Sequence, residues 1–398
     1  MASLSINNAA CRCIALLLII TLFLSSIHAT MARRTSRWAP VRMNVIDRCW
    51  RRDVNWRSNR QKLATCSVGF AGKMRNNIGR GTIHYQVTDP SDDPVIPRPG
   101  TLRYGASKLQ GKVWITFKND MEIKLQKSLM VSSFTAIDGR GASIHIAGGG
   151  CFVLYKVTNV IIHGLRFHNC KAQSPGLIMG PDSKILPVSW GDGDAIRLVT
   201  ATKVWIDHNT LYDCPDGLID VTRGSTDVTI SNNWFRNQNK VMLLSHDDGS
   251  LRDKNMRVTV AFNHFGPDCT QRMPRVRHGY AHVVNNLYLE WGKYAIGGSM
   301  NPSILSESNL FVAPNSENKK VTWRQDMNVQ GRTPWRVYSL NDVFENGAYI
   351  KKPAHVNIRA KPRPHYNHEQ FFRVVSARFG RDLTKNAGAL RCTPRSRC

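Results

Sequence analysis

Six stretches of eight residues decide the fold: VIIHGLRF (160–167), VWIDHNTL (204–211), VTISNNWF (228–235), VTVAFNHF (258–265), AHVVNNLY (281–288) and ILSESNLF (304–311). Their starts lie 44, 24, 30, 23 and 23 residues apart, a period that belongs to solenoids. The first interval is close to twice the others, which predicts one unmatched coil before Val204. Each stretch alternates apolar and polar residues as a strand with one inward face requires. Five of the six carry Asn at the sixth place (Asn209, Asn233, Asn263, Asn286 and Asn309), where stacked amides can bond to one another at the bends of successive coils. No helical pattern of about ten residues separates the stretches, so a doubly wound βαβ fold is excluded. The expected architecture is all-β, a parallel β-helix.

A solenoid needs covered ends, because terminal coils otherwise expose core and strand edges. Residues 47–70 contain a helix-compatible stretch between Cys49 and Cys66, suited to covering one end. After Val312 the repeat is lost and the chain turns basic (KKPAHVNIRAKPRPH, 351–365), so it is expected to fold back over the other end or the flank. Residues 1–29 hold one charge, Arg12, and an apolar run from Ile14 to Ile27. That run is too short to span a bilayer and reads as a secretory signal cleaved near Ala29. The expected organisation is a signal over 1–29, a basic segment over 30–46, and one domain over 47–398.

Secretion implies an oxidising compartment. Removing the signal discards Cys11 and Cys13 and leaves eight cysteines, an even number that suits disulfides. Cys49 with Cys66, Cys151 with Cys170, and Cys392 with Cys398 are plausible local pairs, although sequence does not fix connectivity. No paired C-x2-C spacing supports zinc. The chain has 55 Lys and Arg against 28 Asp and Glu, a net charge of +27, which points to a polyanionic partner.

Two acidic pairs stand one coil apart: Asp192 and Asp194 in WGDGDAI, and Asp216 and Asp220 in CPDGLID. Residues two or four apart on a strand share a face, so each pair can present two carboxylates to one point. An isolated Asp-Gly is a turn signal, but two such pairs in adjacent coils form an all-oxygen cluster that suits Ca2+. Downstream lies a basic set, Lys240 in QNKVMLL and Arg272, Arg275 and Arg277 in QRMPRVRHGY. Both sets fall between repeat strands, so they can occupy one side of the solenoid, where guanidinium forks match carboxylates. His208, His246, His264 and His278 are dispersed without ligand spacing and are read as structural.

These motifs carry a resemblance. From about Asp47 to Cys398 the chain resembles the plant pectate lyases (polysaccharide lyase family 1), and it is similar to the pectate-lyase-like pollen allergens, through DRCW (47–50), PGTLRYG (99–105), IDGRGA (137–142), DGDAI (192–196), VWIDHN (204–209), DGLID (216–220), KVMLLSH (240–246), QRMPRVRHG (271–279) and YAIGGS (294–299). The resemblance implies a right-handed parallel β-helix with a capping helix and loop-rich ends, and calcium-dependent β-elimination of de-esterified pectin. It places the calcium ligands on Asp192, Asp194, Asp216 and Asp220, the catalytic arginine on Arg272, and substrate binding on Lys240 and Arg277. The opening CWRRDVNWRSNR, the loop Lys171–Trp190 and the basic region after Lys319 depart from the family pattern, with all the implied site positions filled.

The elimination removes the C5 proton of a galacturonate and expels the C4 oxygen, so a base role for Arg272 needs an unprotonated fraction of a group that is ordinarily always charged. Water or hydroxide as the base, with Arg272 acting electrostatically, stays open. The expectation is a secreted, monomeric enzyme of the plant cell wall acting on polygalacturonate, with no membrane partner in the mature form. The alternative is a wall or pollen protein that binds pectate with little turnover. A nucleic-acid partner is suggested by charge alone and opposed by the signal and the absence of a recognition module.

Overall fold

Val204 and Ile206 point into the interior while Trp205 between them lies on the outer face, and this alternation repeats along the solenoid. In the computed structural model, which describes residues 43–325, 336–350 and 362–398, the chain winds into three parallel sheets of ten, eight and nine strands. The ten-stranded sheet runs from Ile83–Val87 to Arg336–Leu340, the eight-stranded sheet from Leu129–Met130 to Thr322–Arg324, and the nine-stranded sheet from Met121–Ile123 to Val343–Glu345. Each complete coil gives one strand to each sheet. The result is a right-handed parallel β-helix, the hand that parallel crossovers take. The expected signal over 1–29, most of the basic segment and residues 351–361 fall outside the described residues. Among those described, no helix is long and apolar enough to cross a membrane.

The 44-residue interval holds no additional coil. Thr158–His163 pairs directly with Thr202–Asp207, Ile162 facing Ile206, and the surplus length forms an antiparallel hairpin of Gly176–Met179 with Ile185–Val188. The helix also extends beyond the repeat on both sides. Strands Ile83–Val87, Val113–Phe117 and Thr135–Asp138 precede it, and Arg336–Leu340 pairs with Ser303–Glu307 after it. The early coils escaped the pattern because the positions equivalent to the repeated asparagine hold Thr88, Lys118 and Arg140.

The asparagines stack. Nδ2 of Asn209, Asn233, Asn263 and Asn286 donates to Oδ1 of the next residue in the series at 2.9–3.1 Å. Each also donates to a carbonyl of the preceding coil, as Asn263 does to Ile230 at 2.9 Å, so every amide hydrogen in the row is used. Beside the row, Phe235, Phe265, Tyr288 and Phe311 stack ring on ring inside the solenoid, and the exposed Phe344 continues the stack in the last coil.

The row ends on Asp342, whose Oδ1 accepts from Asn309 N and Nδ2 at 2.8 and 3.1 Å. Burial pushes its carboxyl from 3.8 up to about 6. A group that holds its proton more tightly in the fold contributes stability below its unfolded value, and that contribution is lost as pH rises through the folded value. The shift corresponds to at most about 3 kcal/mol, which solvent access to a half-buried group reduces to about 1–2 kcal/mol. Asp342→Asn keeps the acceptor and removes the charge. Urea unfolding should therefore show the variant gaining about 1–2 kcal/mol over wild type between pH 4 and pH 6.5, with no gain below pH 4; an equal difference at both pH values would refute the assignment.

The terminal segments lie over the outer face of the ten-stranded sheet, and do not simply plug an end. Helix α1 (Val45–Trp50), the 3-10 turn Arg60–Thr65 and the C-terminal stretch with Phe372 and Leu383 bury Trp114, Ile161, Trp205, Phe262 and Val284 in a second apolar layer. The C-terminal region thus lies on the flank, one of the two places expected for it, and the segment around Cys49 and Cys66 lies there with it rather than over an end. Polar positions of this sheet face bond to the covering chain, Thr229 Oγ1 to Val68 O at 2.7 Å and Thr259 Oγ1 with the Tyr366 hydroxyl at 2.7 Å. Cys49–Cys66, Cys151–Cys170 and Cys392–Cys398 form disulfides. Cys214 and Cys269 do not, against the even-count expectation: both are buried in the core, where each thiol is pushed up to about 12.

Candidate active site

With the ten-stranded sheet covered by the termini, the eight-stranded sheet carries the chemistry. Its pairing sets one row of residues across neighbouring coils: Arg197 beside Asp220, then Leu243, Arg275, Gly297 and Trp323. The candidate acids influence one another electrostatically at the start of this row, but among the described residues no three of them bring ligand atoms within metal spacing of one another. Asp220 lies on strand Ile219–Thr222, whereas Asp192, Asp194 and Asp216 sit in the turns that precede the strands. Even spacing along a strand is therefore not what aligns them. Gly217 does so: an added Cβ there would stand 2.3 Å from Asp220 Oδ1 and 3.0 Å from Asp194 Oδ1, so the carboxylates converge over the space that glycine leaves. Gly217 N donates to Asp194 Oδ1 at 2.9 Å and fixes its rotamer.

Burial, then the neighbouring Asp216 and Asp192, push Asp194 up to about 6. Asp220 rises well above the ordinary carboxylate range through burial and the charges of Asp194 and Asp216. Carboxylates that suppress one another's ionisation fit a divalent cation, whose charge would reverse that repulsion. The donors are all oxygen, which suits Ca2+. Lys240 Nζ holds Asp216 Oδ1 at 2.6 Å, so the basic and acidic sets are in contact.

The arginines line the next coils. Arg272 turns the chain with φ 64° after strand Cys269–Gln271; its Nε has no hydrogen-bond partner, and it and Arg275 face the Tyr294 hydroxyl. Arg277 is held through Nη1 by Ser245 O and His246 O at 3.2 and 3.1 Å, and its Nε lies 3.4 Å from Asp248. Burial, beside Arg275 and Arg272, lowers its pKa.

Sequence reasoning missed Arg197, which stands in register with Asp220 and reduces the upward shift of Asp194 and Asp220. It also missed Tyr294 and Trp323, for nothing in IRLV or VTWR separates a groove residue from an ordinary outward one. Strand register places Arg197 and Trp323, and Tyr294 is placed by its stacking on Trp323.

Among the described residues, the group with ligand atoms at metal spacing is His163, Asp207 and His208. It is a hydrogen-bond network beneath α1. Both His Nδ1 atoms lie on Asp207 Oδ2, at 2.9 and 2.7 Å, and His208 Nε2 lies 3.0 Å from Asp47. Ser231 and Asn232 occupy the other oxygen of Asp207 at 2.6 and 2.9 Å. With its acceptors taken by donors at hydrogen-bond length, the carboxylate joins α1 to the solenoid, in keeping with a structural His208.

Fold and site together define the class: a right-handed parallel β-helix with an acid cluster and adjoining arginines on its exposed sheet. The pectate lyase family profile matches residues 108–391. The chain is 49% identical over 356 residues to pectate lyase 1 of Juniperus virginiana, covering 87% of this chain and 94% of the relative. It is 48% identical to probable pectate lyase 4 of Arabidopsis thaliana, covering 88% and 90%. Its fold matches the crystal structure of jun a 1, the major allergen from cedar pollen, with a TM-score of 0.81 and 48% identity over 87% of this chain and 99% of that one. A Bacillus sp. N165 pectate lyase in complex with trigalacturonate, at 20% identity and TM-score 0.55, shares the fold over 81% of this chain and 98% of the other. The chain belongs to the pectate lyase family, and it is an enzyme of that class.

Proposed function

We propose that the protein is a secreted, calcium-dependent pectate lyase, a single domain over residues 47–398 acting as a monomer on de-esterified galacturonan in the plant cell wall. The observation that carries this reading is the approach, on one side of the solenoid of a family member, of Asp194, Asp216 and Asp220 to Lys240 and the arginines of the next coils. Asp192, Asp194, Asp216 and Asp220 would hold Ca2+, which when bound neutralises the substrate carboxylate and stabilises the charge that develops as C5 loses its proton.

Lys240 and Arg277 bind further carboxylates of the polymer and fix the ring. Arg272 in its neutral form takes the C5 proton; the electron pair becomes the C4–C5 double bond, the C4–O bond breaks, and the departing oxygen is protonated from solvent. The products are a new reducing end and a 4,5-unsaturated galacturonosyl end.

The test follows ultraviolet absorbance of unsaturated ends while purified mature protein acts on polygalacturonate. Absorbance should rise with calcium and stop on addition of excess chelator. Folded protein that binds pectate without any rise at neutral or alkaline pH would leave a wall-binding protein on a lyase scaffold.

A further inference from the structure

The row that begins at Arg197 and Asp220 does not end at the arginines. Two coils beyond Arg275 it reaches Trp323, four strand spacings from Asp220 and roughly 19 Å away at about 4.8 Å per strand. Between them stands Gly297, where an added Cβ would lie 2.3 Å from the Tyr294 ring. Glycine at that point lets the phenol lie flat against the sheet. Tyr294 is buried and stacks on Trp323 with centroids 5.2 Å apart and planes 17° from parallel. The Arg275 guanidinium lies 5.5 Å from the indole centroid. The indole is thus fixed by a ring and a cation, yet it keeps 38% of its surface exposed. With Lys293, Gln271 and Asn318 it lines an open groove of about 660 Å³. Lys293 has no ion pair among the described residues.

We propose that Trp323 and Tyr294 form a sugar-stacking subsite for the same galacturonan chain, distal to the aspartates, with Lys293 taking a carboxylate. This rests on the lyase reading above. A pyranose offers an apolar C–H face that fits an exposed, immobilised indole, and its polar groups need only a few well-placed partners at the rim. A uronate differs from a neutral sugar by one negative charge, which the ammonium of Lys293 and the nearby guanidinium of Arg275 complement. Position along the row makes the subsite one for long chains: a trimer engaged at the aspartates does not reach Trp323.

The experiment compares wild type, Trp323→Ala and Trp323→Phe on polygalacturonate and on trigalacturonate in calcium. Trp323→Ala should raise KM for the polymer about five- to tenfold and leave kcat/KM for the trimer within twofold, with Trp323→Phe restoring most of the polymer affinity. Equal losses on polymer and trimer, or no loss on either while wild type cleaves both, would overturn the subsite and leave the lyase reading intact. Wild type that neither binds nor cleaves the polymer would overturn both.

Discussion

Arg272→Ala should lower turnover on polygalacturonate by on the order of 10²–10⁴, the range expected when a positioned proton acceptor is removed, while calcium-dependent binding of the polymer changes by no more than about threefold. The split follows from where the residue sits. Lys240 and Arg277 are held by partners of their own, Asp216 at 2.6 Å and the carbonyls of Ser245 and His246 at 3.2 and 3.1 Å, so the binding charges survive the substitution. Arg272 is differently placed: its Nε lacks a partner, and what it faces is the Tyr294 hydroxyl. Steady-state absorbance assays give kcat, and calorimetric titration with polygalacturonate gives affinity. A kcat within tenfold of wild type would assign proton removal to water or hydroxide and leave Arg272 an electrostatic role. Arg272→Lys adds a second reading, since it preserves a charge but not the guanidinium geometry. Recovery of most of the activity in that variant would favour the electrostatic role.

The fold was legible because the solenoid writes itself as a period. Asn209, Asn233, Asn263, Asn286 and Asn309 hold one position in five coils, and the bonds they make run between coils, so a local pattern encoded a long-range structure. Where a coil solves the same bend with another residue, as at Lys118, Arg140 or Asp342, the period fades although the strands continue. Interval length misled for a related reason: the surplus residues before Val204 fold outward as a hairpin, and periodicity does not distinguish an excursion from an additional turn. The outer cover was likewise hidden. Trp205 and Ile161 alternate with core residues as solvent-facing positions do, and it takes the distant segments around Trp50 and Phe372 to bury them.

At the site, the residue types were legible and their alignment was not. Asp-Gly pairs and a run of arginines are visible in any sequence, and the resemblance attaches roles to them. That Asp220, Arg275 and Trp323 stand on one row follows only from strand register. Charge shows the same division: a net charge of +27 predicts attraction to a polyanion in general, but the specific complement to a uronate comes from a few cations placed against a cluster of acids.

Asp194→Asn with Asp220→Asn should make turnover insensitive to both calcium and chelator, at a residual rate at least about 10³-fold below that of calcium-loaded wild type. The two residues converge over Gly217, and both are pushed up, Asp194 to about 6 by burial and the charge of Asp216, Asp220 well above the ordinary carboxylate range by burial and the charges of Asp194 and Asp216. Removing both charges takes away the reason for a cation to bind there. The same change relieves repulsion in the metal-free protein, so the double variant should unfold at a higher urea concentration than wild type in chelator, and at a lower one in saturating calcium, because wild type alone gains the free energy of ion binding. That inversion separates a metal site from an acid cluster with a purely structural role, for which the order of stability would be the same with and without calcium. The readouts are the urea midpoint in each condition and calcium titration of the folded protein by calorimetry. Retained calcium dependence of turnover in the double variant would move the ion away from Asp194 and Asp220 and remove these residues from the proposed mechanism.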